Sequence, residues 1–208
     1  MNAKKRILFL HGLGQGPDSW RAVAERLTGV DAVIPDLGAM LAGRADYLAL
    51  RGALFAVCDA EKAPLHLCGL SLGGVLALAY AAHRPERVAS LVLIGTPYTM
   101  PKRLKLQDLL FAITPRTAFE SLGLTKRQMR GLSLSMATLE IPALLPRVRC
   151  RTLVLCGEKD RANRKAARQL QEGLSNAAMQ TIDGAGHEAN REAPEALSAA
   201  LAAFYGAE

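Results

Sequence analysis

The sequence predicts an α/β fold: an open, mostly parallel sheet of about six strands with helices on both faces. Three observations predict it. Six short apolar runs recur along the chain, amphipathic stretches separate them, and most runs end on Gly, Pro or Asp, which punctuate strand ends. The 208 residues amount to one domain.

The elements follow in order. The first strand is expected at residues 6–10. A helix over 19–27 puts Trp20, Val23, Ala24 and Leu27 on one face. Strands follow at 30–35, 65–68 and 88–94, with helices at 46–59 and 75–83 between them. The last strands are expected at 152–156 and 179–182, with helices at 162–174 and 194–205. Pro194 opens the final helix, where its missing N–H costs nothing. Continuous rather than alternating apolar runs imply parallel strands buried on both faces.

Residues 97–148 break the rhythm. These 52 residues show no strand pattern and are punctuated by Pro97, Pro101, Pro115, Pro142 and Pro146. A structureless loop of that length is improbable in a compact domain, so a small helical insertion is expected there.

Composition excludes several classes. Hydrophobic residues make up 50% and charged residues 22%, too apolar a balance for disorder. The longest apolar run, 75–82, falls far short of the roughly 20 residues that a bilayer needs. Lys4, Lys5 and Arg6 precede only four apolar residues before His11 and Gly12, so no signal peptide is read and a cytoplasmic location is expected. Cys58, Cys68, Cys150 and Cys156 form no CxxC pair, and Cys68 and Cys156 sit in strand-like runs as core residues. The net charge of +7 raises nucleic acid as a partner, but with 5% aromatic residues a stacking platform is unsupported. Neither nucleic acid nor a membrane is expected as a partner.

The chemistry begins at Gly69-Leu70-Ser71-Leu72-Gly73-Gly74, between a strand and a helix. Gly-x-Ser-x-Gly in that context is a nucleophile elbow: a tight turn leaves the hydroxyl exposed at a helix N-terminus. His11-Gly12-Leu13-Gly14-Gln15-Gly16 follows the first strand. Its Leu13 N–H could join the Leu72 N–H in holding an oxyanion. A dinucleotide loop is the competing reading of these glycines, with Asp36 as its acid, although Pro17 breaks the spacing. Asp160 and His187 each stand just past a strand, and Glu158 and Asp183 are the next candidates for the acid. Strand ends of a parallel sheet share one edge, so Ser71, Asp160 and His187 can converge. His66, His83 and His11 read as structural.

The segments HGLGQG, GLSLGG, HRPERVASLVLIGT, LVLCGEKD and GAGH are similar to motifs of the α/β-hydrolase superfamily over nearly the whole chain. The resemblance implies Ser71 as nucleophile, His187 as base, Asp160 as its orienting acid, and Leu13 and Leu72 as the oxyanion hole. It implies a serine esterase of the small-cap group, similar to pimeloyl-carrier-protein methyl ester esterases, acting on a small-molecule ester or acyl substrate without metal or organic cofactor. A serine nucleophile argues against the family's haloalkane dehalogenases and epoxide hydrolases. Alternatives within the same fold are a thioesterase, a cofactor-free lyase of the menaquinone-pathway type, or a non-catalytic receptor. Two departures stand out. The chain opens at what resembles the family's third strand, so the first hairpin is expected to be missing, and PDLGAM lacks the usual Gly-His-Gly.

In the family, an insertion at 97–148 is the cap. Here it holds Lys102, Arg103, Lys105, Arg116, Lys126, Arg127, Arg130 and Arg147 against Asp108, Glu120 and Glu140, which is +5 of the net +7. Such a patch could receive an acidic acyl carrier, or it could be a solvated face. Leu104, Leu106, Leu109, Leu110, Phe111, Ile113 and Phe119 could line an acyl pocket or pack the cap onto the core.

Overall fold

The computed structural model describes residues 4–41, 46–99 and 125–206. Six strands form one sheet: β1 (Lys5–Leu10), β2 (Val30–Val33), β3 (Leu65–Leu70), β4 (Val88–Ile94), β5 (Arg151–Gly157) and β6 (Ala177–Ile182). Their order is β2-β1-β3-β4-β5-β6, and every pairing is parallel. The order reverses between β1 and β3, so the C-terminal ends of the central strands open onto one crevice.

Alternate residues of each central strand feed two cores. Leu8 and Leu10 of β1 point to one face, with Leu67, Leu91, Leu93 and Val154. Ile7 and Phe9 point to the other, with Val92, Ile94, Leu153 and Leu155. Burial on both faces explains the continuous apolar runs. The expectation of two buried faces fails at the edges. Neither β2 nor the first five residues of β6 bury any residue fully, because an edge strand has a neighbour on one side only.

Helices α1 (Arg21–Ala24), α2 (Leu37–Met40), α3 (Tyr47–Asp59), α4 (Leu72–His83), α5 (Lys126–Met136), α6 (Arg164–Gly173), α7 (Ala189–Glu192) and α8 (Pro194–Gly206) cover the sheet. The single helix expected at 19–27 is instead a 3₁₀ turn, Pro17–Trp20, followed by one turn of α1. The i→i−3 bonds Arg26 N→Val23 O and Leu27 N→Ala24 O tighten its end before Gly29, at φ +73°, turns the chain into β2. Trp20, Val23 and Leu27 still enter the core. Asp46 caps α3 by accepting from Leu48 N at 2.6 Å, and Thr125 and Gln128 form a capping box on α5.

Asp36 caps α2, accepting from Ala39 N at 3.0 Å. The residue weighed as a ribose acid therefore spends its carboxylate on a helix end.

Of the expected insertion, the described part holds α5 and the 3₁₀ segment Ile141–Arg147. Ile141, Leu145 and Val148 pack into the core formed with α4 and α6. Lys102, Arg103, Lys105, Asp108, Arg116 and Glu120, with the apolar residues from Leu104 to Phe119, lie outside the described residues. Among the described residues, no helix is long and apolar enough to cross a membrane.

Candidate active site

Ser71 joins β3 to α4 at φ +53°, ψ −112°, the one non-glycine residue with positive φ among the described residues. That conformation costs on the order of 1–3 kcal/mol and persists only where the surroundings dictate it. Here they do. Ser71 N donates to Ile94 O at 2.8 Å, tying the turn to the end of β4. A Cβ on Gly73 would overlap the Leu10 carbonyl, and one on Gly69 would overlap the backbone of Gly73. Glycine is what lets α4 pack against the ends of β1 and β3. The Ser71 hydroxyl does not cap α4, so it is left presented at the helix N-terminus.

Asp160 and His187 come together. His187 Nδ1 donates to Asp160 Oδ2 at 2.9 Å. The carboxylate side chain is 4% exposed and the imidazole 43%. Asp160 follows the turn after β5, where Asp160 N donates to Gly157 O at 3.0 Å. His187 follows Gly186, and a Cβ on Gly157 would overlap the Gly186 carbonyl, so the β5 and β6 exits touch. Gly95, at φ +52°, lies beneath the pair: a Cβ there would stand 3.0 Å from His187 Nδ1. Since Ser71 is bonded to Ile94, the serine and the His–Asp pair flank the same β4 exit.

The other acids have other tasks. Glu158 Oε2 accepts from Gly184 N at 2.9 Å and ties the β5 exit to the β6 turn. Asp183 is exposed, and among the described residues it is Asp160 that pairs with His187.

Sequence reasoning missed two supporting residues. Asn163 Nδ2 lies 2.9 Å from both Asp160 oxygens, and Asn163 N donates to Oδ1 at 3.3 Å. The buried carboxylate is thus hydrogen-bonded besides its histidine, as a buried charge requires. Glu192 accepts from Gly186 N at 2.7 Å and from Glu188 N at 2.9 Å, the N–H groups of the residues on either side of His187.

Leu13 and Leu72, the residue after Ser71, line one small pocket, with Leu37, Leu41, Leu50 and Leu132 supplying its apolar wall. Leu13 N–H donates to nothing among the described residues. His11 shapes more than its own turn. It is 3% exposed; Nδ1 donates to Gly12 O at 3.0 Å, and Nε2 accepts from Leu37 N at 3.1 Å. Burial holds its pKa below the ordinary value, and the accepted bond requires the neutral ring.

The remaining candidates are structural. His66 Nδ1 lies 2.8 Å from Ser90 Oγ across β3 and β4, and His83 Nδ1 donates to Ala79 O at 2.8 Å. Cys58, Cys68 and Cys156 are buried. Among the described residues, no group of three or more His, Cys, Asp or Glu side chains could hold a metal ion.

Comparison with known proteins gives consistent results. The model of the alpha/beta hydrolase family matches residues 7–200. Lipase 3 of Moraxella sp. (strain TA144) is 34% identical over 98 residues, covering 43% of this chain and 31% of the lipase. A pimeloyl-[acyl-carrier protein] methyl ester esterase of Aromatoleum aromaticum is 39% identical over 95 residues, covering 43% of this chain and 36% of the esterase. The chain thus matches about a third of the length of these curated relatives. Among solved structures, the enol-lactonase of Burkholderia xenovorans LB400 superposes with a TM-score of 0.81 at 18% identity, over 99% of this chain and 92% of that one.

Proposed function

The chain belongs to the alpha/beta hydrolase family, and on that premise we propose that it is a serine hydrolase cleaving carboxylic esters of small or medium acyl groups. The observation that carries the reading is Ser71 at positive φ on the same β4 exit as the 2.9 Å His187–Asp160 pair. The lipase and methyl ester esterase among its relatives support ester substrates.

The roles follow from the geometry. His187 Nδ1–H is held by Asp160, so Nε2 is the unprotonated nitrogen and can take the Ser71 proton. Ser71 Oγ then attacks the acyl carbon, and negative charge develops on the carbonyl oxygen. The Leu13 and Leu72 N–H groups, the second at a helix N-terminus, meet that charge; each such donor contributes about 3 kcal/mol to lowering the barrier. Imidazolium protonates the departing alcohol, leaving an acyl-serine. His187 next takes a proton from water, whose attack releases the acid and restores Ser71. In this reading α5, the described helix of the expected insertion, contributes Leu132 to the apolar pocket.

The test is hydrolysis of p-nitrophenyl esters from acetate to laurate, with Ser71→Ala as the blank. Turnover absent from the blank is the expected result. A wild-type protein no faster than the blank on every ester overturns the esterase reading.

A further inference from the structure

Gln15 and Asn190 stand 175 positions apart and meet inside the protein, at 4% and 0% exposure. Gln15 Nε2 donates to Asn190 Oδ1 at 3.3 Å, and Asn190 Nδ2 donates back to Gln15 Oε1 at 3.1 Å. Gln15 Oε1 also accepts from Gly12 N at 3.2 Å. A backbone N–H can only donate, so this third bond fixes which way both amides face.

The two side chains sit on the two halves of the candidate site. Gln15 closes the turn carrying Leu13, where its own N–H donates to Gly12 O at 3.2 Å. Asn190 lies three residues past His187, on α7, the same short helix whose Glu192 holds the peptides around His187. A buried amide pair is a costly way to fill space, since two apolar side chains of the same shape serve stability as well. What apolar side chains cannot do is aim a peptide. With Gly12 N–H drawn toward Gln15, the turn has one orientation, and Leu13 N–H is left without an acceptor among the described residues.

We propose that Gln15 and Asn190 are a positioning pair, which locks the turn bearing the Leu13 N–H to the loop bearing His187 and so sets the oxyanion donor relative to the base. The inference rests on the serine-hydrolase reading above.

The experiment compares Gln15→Met, Asn190→Leu and the double variant with the wild type. Asn190→Leu strands the Gln15 amide, Gln15→Met strands the Asn190 amide and the Gly12 N–H, and each melts roughly 5 °C lower or more. The double variant leaves neither side-chain amide stranded, only the Gly12 N–H without its acceptor, and melts above Gln15→Met. A pair that only fills space would regain kcat as well. A positioning pair would not: kcat of the double variant stays down by roughly 10- to 100-fold with KM little changed. Inhibition by an alkyl boronic acid, whose Ser71 adduct places an oxyanion in the hole, weakens by a similar factor. Recovery of kcat together with melting temperature overturns the inference, and so does a kcat lost only in step with the fold. Labelling of Ser71 by a fluorophosphonate, measured on all four proteins, needs no particular ester. A wild type that labels but cleaves no ester loses the esterase reading alone, and the labelling rates then decide this inference. A wild type that does neither overturns both.

Discussion

His187 Nδ1 lies 2.9 Å from Asp160 Oδ2, joining a side chain 43% exposed to one only 4% exposed. The carboxylate is anchored and the imidazole is half exposed, which suits the proposed roles of an orienting acid and a proton-exchanging base. Asp160→Asn keeps the shape but offers an N–H where the imidazole needs an acceptor, favouring the wrong tautomer. We expect kcat to fall by about 10⁴-fold with the fold intact by circular dichroism. Near-normal turnover would show that Asp160 is not the orienting acid.

Glu192 gives a second prediction. Its two oxygens hold the N–H groups of Gly186 and Glu188, so the backbone around His187 is fixed from both sides by one exposed side chain. Glu192→Ala releases both at little cost to the core. We expect kcat to drop roughly 10- to 100-fold, as ångström-scale misplacement of a base does, with little change in KM. A melting temperature within a few degrees of wild type would separate this from general unfolding.

His11 makes stability depend on pH. Burial lowers its folded-state pKa, outweighing the Gly12 bond and the nearby Asp36 and Asp18, which raise it. The unfolded chain takes up the proton near the ordinary 6.5, while the folded chain resists it. Unfolding free energy is therefore highest above pH 6.5 and declines as pH falls from 6.5 toward the depressed folded value. Urea titrations between pH 5 and 8, with His11→Gln as reference, measure this directly. An equal slope in both proteins over that window would show that His11 does not carry the effect.

The thiols are protected by the same physics. Burial pushes Cys58 up to about 12 and Cys150 to about 11, and raises Cys68 and Cys156 as well. Native protein at pH 8 should react with a disulfide reagent far more slowly than the urea-unfolded chain. A fast native phase of one equivalent or more would contradict this.

The sequence made the sheet legible because its central strands are buried on both faces. Leu67, Leu91 and Leu93 contact one core while Cys68, Val92 and Ile94 contact the other, so apolar residues run without a break. Edges were less readable. β6 begins at Ala177, two residues before the expected start, because pairing of Ala177 with Thr152 sets it rather than hydrophobicity. Likewise β3 runs on to Leu70, held by Leu70–Ile94 pairing through glycine that propensity would exclude. Ser71 and the His187 loop were visible as motifs whose glycines the turns demand. Asn163, Glu192, Gln15 and Asn190 were not. A polar residue in a loop looks the same in sequence whether it faces water or a partner 175 positions away.

The small pocket lined by Leu13 and Leu72 supplies the last prediction. Leu132 on α5 is fully buried and closes the wall formed with Leu41 and Leu50, around a space little larger than a water molecule. In the proposed reading the acyl chain enters here, and truncation to alanine opens room for about two methylenes. Each buried methylene contributes about 0.8 kcal/mol, so two change kcat/KM by about 15-fold. Leu132→Ala should therefore shift preference among p-nitrophenyl esters toward longer chains by that factor, at a stability cost of about 2–4 kcal/mol. Leu132→Phe should shift it the other way. An unchanged chain-length profile in both variants would place the acyl group elsewhere, since enlarging or filling the space an acyl chain enters must change which chain fits best.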